Sequence, residues 1–529
     1  MSLWPNSGKT RVPWMTGMTI AVVKKSQIMF IKGYGKTAID SDTQVTEHTL
    51  FLLGSISKSF TATLLLKLME KQNPPLDLST NIREMMEGGF VFFDKERTQN
   101  ANLVDILAHR MGNPEHDFLR LDPSITRADL PRLFKHMTQG IKKFRESFKY
   151  SCMMYEFATY LTEKLANGQP WEDLVAKEIF APLDMTSSTV VTKLQTVENA
   201  AQGYFEKSSL VPVPFEFIRL WQTWAGSGGI MSNAVDMAKY MNFHLSNVDK
   251  DGNKFMSDKN FAALHQEHNN KLSNSTVNKI SKELEVPIIE NGYGLGWKLG
   301  KYRGHDILQH SGTTYGYCSF ITLFPEQEIG IFTAMNGNDK KHIISLLLHS
   351  FLSDVALEVT PYLNAESICS KMKRYADEKN SIQNFEEKYS VQNFEEYVGE
   401  YTNIIYGTLK IKNINSNLSL EYGNCKWILW KQKDEEKFLA KGTGMIKDLI
   451  DFGPITFQTE KEGVCVTIEK FGIIRPPRVK FRRPLKQKDI SYAALAKAFG
   501  FQEMAKANRH PALMKTAIIQ YWIKSTIIL

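Results

Sequence analysis

Apolar and polar positions along the 529-residue chain change period several times, and each change marks a different kind of element. Near the N-terminus, the segment MTIAVVKKSQIMFIKGYG has two apolar, β-branched runs joined by a short polar turn, which predicts a hairpin. From Ser55 to about Leu68, apolar residues fall on nearly every side of a helix, and such a helix belongs in the interior. The pattern therefore predicts sheet first and then a buried helix that starts at Ser55.

A mainly helical pattern continues to about residue 250, and Asn233 is predicted to cap one of its helices with Asp236 three residues later. Residues 291–336 return to short strands separated by turns, and the helix-like run KKHIISLLLHSFLSDVAL follows. Strands on both sides of a helical middle predict one sheet that is assembled from distant segments and covered by helices.

Beyond residue 362 the pattern changes again, first to a polar stretch and then to alternating apolar and polar positions with short turns. Such alternation is typical of a small all-β domain. We therefore expect an α+β domain over residues 1–360, a linker over 361–392, an all-β domain over 393–486 and a helical tail over 487–529.

Composition narrows the class of protein without indicating its chemistry. With 43% hydrophobic and 23% charged residues and a formal charge of +8, the chain resembles an ordinary globular protein and is not expected to bind nucleic acid. No stretch approaches the roughly 20 apolar residues of a membrane span, and no signal peptide is visible, although the N-terminus may be incomplete; the compartment stays unknown. The five widely spaced cysteines predict neither a metal cluster nor a disulfide framework.

Candidate chemistry begins with Ser55 and Lys58, which lie three residues apart at the start of the predicted buried helix. Side chains at this spacing share a face, so the Lys58 amine can reach the Ser55 hydroxyl. We expect burial to lower the pKa of Lys58 and to make it a base for a serine nucleophile. Ser-x-x-Lys alone is a weak signal, because a capping serine near a lysine that extends to solvent has the same pattern.

Two further segments strengthen this interpretation. Tyr150 precedes a helix in FKYSCMMYEFATYLTEKL, and His310, Ser311 and Gly312 lie on a strand before a glycine-bearing turn in HSGTTYGY. With GSISKSFTA, DILAHRMGNPEHD, AGSGGIMSNAVDMAKYM and YGLGW, these segments make residues 17–350 resemble the serine β-lactamase-related family of class C type, which includes penicillin-binding proteins, D-amino-acid peptidases and esterases. Residues 395–485 resemble the lipocalin-like β-barrel that many members append.

The resemblance implies an α/β (α+β) fold, with an antiparallel sheet flanked by helices, a helical subdomain and a separate small barrel. It implies that Ser55 is the acylated nucleophile, that Lys58 activates it and that Tyr150 carries protons. His310 would line the opposite side of the pocket, and the backbone N–H groups of Ser55 and Thr313 would form the oxyanion hole. No cofactor and no metal are implied.

Two departures from the family pattern bear on the substrate. Cys152 stands where many members have the asparagine of Tyr-x-Asn, so an amide that contacts acylamino substrates is missing. His310, Ser311 and Gly312 replace Lys-Thr-Gly, and a neutral imidazole attracts a carboxylate less than an ammonium does. Both changes weigh against peptide and β-lactam recognition and favour ester-like or unusual amide substrates. The predicted function is a serine hydrolase that acts through an acyl-enzyme on an ester or a small amide or peptide.

Several alternatives stay open at this stage. The chain could be a catalytically silent family member that acts as a binding or scaffolding protein. His109, His116 and Asp117 could suggest a metal site, although they are better interpreted as loop residues, and Cys152 could be a reactive thiol instead of an inert filler. The expected partner is a small-molecule or peptide substrate, and a homo-oligomer is left open.

Overall fold

The computed structural model describes residues 15–483, except for 87–88, 195, 197, 207–208, 221, 273–274, 378–393, 433–436, 461–462 and 470–478. The strands of the α+β part, numbered in chain order, are β1 Met15–Lys24, β2 Gln27–Gly35, β3 Phe51–Leu52, β4 Thr189–Val190, β5 Tyr204–Glu206, β6 Leu210–Pro212, β7 Ile230–Ser232, β8 Ile288–Tyr293, β9 Lys298–Tyr302, β10 His305–Thr314, β11 Tyr317–Phe324 and β12 Ile329–Gly337.

The helices are α1 Ser57–Glu70, α2 Ile82–Met85, α3 Lys95–Asn100, α4 Leu103–Leu107, α5 Leu130–Leu133, α6 Cys152–Leu165, α7 Trp171–Val175, α8 Phe215–Arg219, α9 Ala225–Gly228, α10 Ala234–Ser246, α11 Asp258–His265, α12 Thr276–Leu284, α13 Ile343–Ala356 and α14 Ala365–Asp377. In the described part of the chain, no helix is both long enough and apolar enough to cross a membrane. The predicted tail over 487–529 and the second part of the predicted linker lie outside the described residues.

The central sheet has seven antiparallel strands in the order β2-β1-β12-β11-β10-β9-β8. The predicted hairpin is confirmed as β1 and β2, where Thr19 pairs with Gly33. On its other side β1 pairs with β12, and Thr19 lies opposite Ala334. The prediction of one sheet assembled from distant segments is therefore confirmed, because the N-terminal strand lies in the sheet beside a strand from the end of the domain.

Helices cover both faces of this sheet. Helices α1 and α10 belong to one hydrophobic core, and α12, α13 and α14 belong to a second core on the opposite face. The predicted cap of α10 is confirmed, since the Asn233 side chain accepts a hydrogen bond from the Asp236 N–H at 2.9 Å. The result is a layered fold in which apolar strand faces are buried on both sides.

Helix α1 is buried along nearly its whole length, as its pattern predicts, but it begins slightly later than expected. Residues Gly54–Ile56 form a 3₁₀ turn, and the α-helix starts at Ser57. Ser55 therefore lies in the tighter turn and Lys58 in the first turn of the helix. Side chains three residues apart eclipse each other in a 3₁₀ turn, so this junction brings the two side chains together.

The C-terminal part is a closed barrel of eight antiparallel strands: β13 Gly399–Asn403, β14 Gly407–Ile414, β15 Asn417–Tyr422, β16 Cys425–Lys431, β17 Lys437–Gly442, β18 Phe452–Glu460, β19 Gly463–Ile468 and β20 Val479–Arg483. Its inward positions carry large apolar side chains such as Leu420, Trp427 and Phe438, all buried. The predicted all-β domain is thus observed as a barrel with a filled interior.

The barrel packs against the turn at Asp117–Leu121 of the α+β part. The Phe118 ring stacks on Tyr422 with centroids 4.1 Å apart, and Tyr406, Phe452 and Phe481 surround it. Beside it, His116 Nδ1 and the Tyr406 hydroxyl are 2.7 Å apart. Phe118 is 1% exposed, so this contact joins the two parts through a buried aromatic side chain.

Candidate active site

Two glycines allow the turn that carries Ser55 to approach strand β10. A Cβ on Gly54 would lie 3.0 Å from the Thr313 backbone nitrogen, and a Cβ on Gly312 would lie 1.9 Å from the Leu53 carbonyl oxygen. Gly54 also has a φ of +55°, in the left-handed region that favours glycine. The structure therefore places the backbone of Ser55 close to that of Thr313, the two groups from which the resemblance implies an oxyanion hole.

Lys58 is fully buried at the centre of the site, and its ammonium has three hydrogen-bond acceptors. Nζ lies 3.1 Å from Ser55 Oγ, 2.9 Å from the Ser227 carbonyl oxygen and 3.4 Å from Cys152 Sγ. A protonated lysine has three N–H donors, so these acceptors match the charged form. The arrangement binds Lys58 as a cation and directs one of its protons at the serine oxygen.

The expected lowering of the Lys58 pKa is wrong. Burial alone lowers the pKa of Lys58, but interactions with Cys152 and Tyr150, and a weaker one with Glu115, outweigh burial and raise it. Sequence pattern shows that the lysine is buried, but not which groups surround it. The lysine is therefore a proton-bearing group at neutral pH and not a neutral amine.

Tyr150 and Cys152 flank Lys58, and both are partly exposed. Nζ of Lys58 lies 4.8 Å from the centre of the Tyr150 ring. Burial raises the pKa of Tyr150 to about 12 even though Lys58 lowers it, and burial likewise raises the pKa of Cys152 to about 12. Cys152 is accordingly a neutral thiol, which argues against the reactive-thiol alternative.

A pair of charges from the segment that contacts the barrel lies near the thiol. Arg120 Nη2 is 2.7 Å from Asp117 Oδ1, and the guanidinium lies over Trp224. Glu115 interacts with Asp117, and burial together with that carboxylate raises the pKa of Glu115 well above its ordinary value. This segment therefore places a carboxyl group with a raised pKa beside an ion pair.

Glu156 and Ser227, which the sequence pattern did not indicate, form hydrogen bonds that hold Lys58 in place. The Glu156 carboxylate accepts a hydrogen bond from the Ser227 N–H at 2.8 Å, and the Ser227 carbonyl in turn accepts one from Lys58. Glu156 is fully buried, and burial raises its pKa to about 7. The sequence contains one signal for Glu156, because this carboxylate lies between the aromatic residues Tyr155 and Phe157 of α6, which are buried. A buried charge requires hydrogen-bond partners.

His310 lies on β10 across the cleft and is 1% exposed. Its Nδ1 is 2.8 Å from the Ser311 carbonyl oxygen and its Nε2 is 3.1 Å from the Tyr293 hydroxyl. The same hydroxyl lies 3.3 Å from Nε2 of His109. The histidine predicted to line the pocket is thus held by a tyrosine that the sequence did not single out.

The metal alternative finds no support in the arrangement of its three residues. Both ring nitrogens of His109 have partners in the Ser151 N–H and Tyr293, His116 pairs with Tyr406, and Asp117 pairs with Arg120. Within the described ranges, no group of three or more His, Cys, Asp or Glu side chains could hold a metal ion.

The fold and these motifs agree with what a comparison with known proteins finds. Residues 11–344 match the Beta-lactamase family. The chain belongs to the beta-lactamase family. Gigasin-6 from Magallana gigas is 33% identical over 249 residues, which cover 46% of this chain and 80% of that protein.

A second relative is an unguisins hydrolase from Aspergillus campestris, which is 29% identical over 357 residues. The match covers 65% of this chain and 63% of that hydrolase, so the chain spans less than two thirds of its length. One relative of this chain is therefore named as a hydrolase.

Solved structures show the same fold across most of the chain. The octameric penicillin-binding protein homologue from Pyrococcus abyssi has a TM-score of 0.54 at 19% identity and covers 89% of this chain and 96% of its own. SurE has a TM-score of 0.51 at 16% identity and covers 89% of this chain and 95% of its own. At these identities the likeness shows the shared fold.

Proposed function

We propose that this beta-lactamase family member is a serine hydrolase that forms an acyl-enzyme at Ser55 and acts on an ester or on a small amide or peptide. The observation that carries the proposal is the 3.1 Å contact between Lys58 Nζ and Ser55 Oγ, with the Tyr150 ring centre 4.8 Å from the same Nζ. A nucleophile, a proton carrier and a buried cation meet at the start of one helix, as acyl transfer requires.

In the proposed reaction, Ser55 Oγ attacks the substrate carbonyl and its proton passes to the Tyr150 oxygen. Tyr150 first releases its own phenolic proton to solvent, and the phenolate, stabilised by the adjacent Lys58 ammonium, then accepts the Ser55 proton. The N–H groups of Ser55 and Thr313 would stabilise the oxyanion, and Tyr150 would then protonate the leaving alcohol or amine. Water attacks the acyl-enzyme in the second half, with Tyr150 again accepting and returning the proton.

The side chain at position 152 bears on the substrate class. The Cys152 thiol lies at the site and offers a weaker hydrogen-bonding partner than an amide. An acylamino substrate would leave its own amide without a strong partner, whereas a simple ester has no such group. This chemistry favours ester-like substrates.

The test is covalent labelling with a fluorophosphonate, followed by intact-protein and peptide mass spectrometry. The wild-type protein should gain one adduct on the peptide that contains Ser55, and Ser55→Ala should gain none. Ser57→Ala is the matched control, because Ser57 lies two residues away and its hydroxyl accepts a hydrogen bond from the Ile230 N–H at 3.1 Å. Labelling should persist in that control.

A specific observation favours the catalytically silent alternative as the second candidate. The pKa values of Lys58 and Tyr150 are both raised, so neither group is an unprotonated base at neutral pH. A wild-type protein that gains no adduct between pH 7 and pH 9.5, while it remains folded by circular dichroism, would assign the chain to a binding or scaffolding role.

A further inference from the structure

The contacts of His109, Tyr293 and His310 form a hydrogen-bond chain whose direction is determined by its two ends. The backbone N–H of Ser151 can only donate, so His109 Nδ1 accepts at 3.1 Å and the proton of the neutral ring is on Nε2. That N–H donates to the Tyr293 oxygen at 3.3 Å, and the Tyr293 O–H donates to His310 Nε2 at 3.1 Å. His310 Nδ1–H then donates to the Ser311 carbonyl, which can only accept.

The chain connects the two walls of the candidate active site. Its first member, Ser151, separates Tyr150 from Cys152, and its hydroxyl accepts a hydrogen bond from the Met154 N–H at the start of α6. Its last member, Ser311, is two residues before Thr313 on β10. The His109 ring also contacts the Tyr150 ring directly, with centroids 4.4 Å apart.

We propose that Tyr293 and His109 are positioning residues of this site. They hold His310 in its Nδ1–H tautomer, and they fix the position of the segment that carries Tyr150 relative to strand β10, which carries Thr313. The inference rests on the proposed function. It also refines the substrate class, because both His310 nitrogens are engaged and the neutral ring provides no cation for a substrate carboxylate. Substrates without a carboxylate next to the reacting carbonyl are therefore expected.

The surroundings keep both rings in the neutral form that the chain requires. Burial lowers the pKa of His310 well below its ordinary value, and the positive charges of Lys298 and Lys58 lower it further, with a small effect of His342. Burial also lowers the pKa of His109, and Lys58, His310 and Lys298 act in the same direction. The remaining ring neighbours of His109, namely Phe148, Tyr155 and Tyr293, carry no charge at neutral pH.

The decisive variant is Tyr293→Phe, which removes the bridging hydroxyl and keeps the ring. The matched control is Tyr302→Phe, because Tyr302 is also buried and its hydroxyl contacts the Ser350 carbonyl and Asp354, both at 2.8 Å, away from the site. We expect Tyr293→Phe to lower kcat on a p-nitrophenyl ester about tenfold, the loss typical of one hydrogen bond, with little change in KM. Tyr302→Phe should leave both constants as in the wild type.

The second measurement does not depend on activity. Nitrogen-15 spectra of histidine-labelled full-length protein, with His310 assigned through His310→Gln, should show His310 as the Nδ1–H tautomer in the wild type. In Tyr293→Phe its Nε2 resonance should shift, whereas Tyr302→Phe should leave it unchanged. A wild-type His310 in the Nε2–H tautomer overturns the proposal, and so does an unmoved Nε2 resonance or equal kcat in the two tyrosine variants. A wild type inactive on esters and on small amides or peptides contradicts the proposed function alone, since the spectra still test the hydrogen-bond chain.

Discussion

The cleft around Ser55 and the interior of the C-terminal barrel are both buried, but their side chains differ in kind. In the cleft, Lys58 and Glu156 are fully buried ionisable groups, and each has a hydrogen-bond partner. The barrel interior is mainly aliphatic and aromatic, and the buried Arg483 donates to the Tyr401 hydroxyl at 2.9 Å.

This contrast indicates that the two parts contribute differently. The cleft maintains costly buried polar groups, which is typical of a site that does chemistry, whereas the filled barrel has the composition of a packing element. Among the described residues, one link between the barrel and the cleft is the segment in which Phe118 packs into the barrel and Arg120 lies near Cys152. We therefore expect the barrel to support one wall of the cleft and not to act on substrate.

The largest effect is expected from Phe118→Ala, which removes the aromatic contact between the two parts. A buried phenylalanine replaced by alanine typically lowers the free energy of unfolding by about 3 to 5 kcal/mol. Urea unfolding monitored by fluorescence measures this loss, and Phe118→Leu, which keeps most of the apolar volume, should lose less. If the urea unfolding curve of Phe118→Ala matches that of the wild type, the barrel does not depend on this contact.

Tyr150→Phe should affect chemistry instead of stability. A positioned proton carrier contributes at least about 100-fold to the rate, so kcat/KM should fall by that factor while the unfolding curve stays unchanged. The pKa of Tyr150 is about 12, so the phenolate fraction, and with it wild-type kcat/KM, should rise nearly tenfold per pH unit from pH 7 to pH 9. The variant should lose this slope, and an equally steep slope in the variant would assign the base role to Lys58.

Cys152→Asn tests whether position 152 sets the substrate class within the cleft. An amide partner for an acylamino group is worth about 1 to 3 kcal/mol, so the ratio of cephalosporin to ester kcat/KM should rise by roughly 5- to 150-fold. The measurement uses one chromogenic cephalosporin and one p-nitrophenyl ester on both proteins. Efficient cephalosporin turnover by the unchanged chain would contradict the assignment.

The smallest effect on rate is expected from Glu156→Gln. An amide can still accept the Ser227 N–H, and a neutral hydrogen bond is weaker than a charged one by about 1 kcal/mol, or roughly fivefold in rate. Because the pKa of Glu156 is raised to about 7, its stabilising contribution is full below about pH 4.5 and is lost as the pH rises through 7. Thermal unfolding of Glu156→Gln at pH 5 and pH 8 should show a smaller difference between the two values than the wild type shows.

Local patterns predicted the hairpin, the buried helix and the barrel, because each depends on residues close together in sequence. Ser55 and Lys58 could be proposed for the same reason, since they are three residues apart. The partners Lys58 and Ser227 are 169 residues apart, and His109 and Tyr293 are 184 apart. Such pairs have no local periodicity, so the raised pKa of Lys58 and the chain to His310 could be recognised only from the fold.

The position of β1 in the central sheet has a consequence for synthesis of the protein. The Gly17 N–H donates to the Asn336 side chain at 2.6 Å, and these residues are 319 apart in sequence. At about 5 to 20 residues per second, a ribosome makes β12 roughly 16 to 64 s after β1. During that interval the hairpin lacks its neighbouring strand β12. The nascent chain therefore exposes apolar surface for tens of seconds, a period in which chaperone binding would protect it from aggregation.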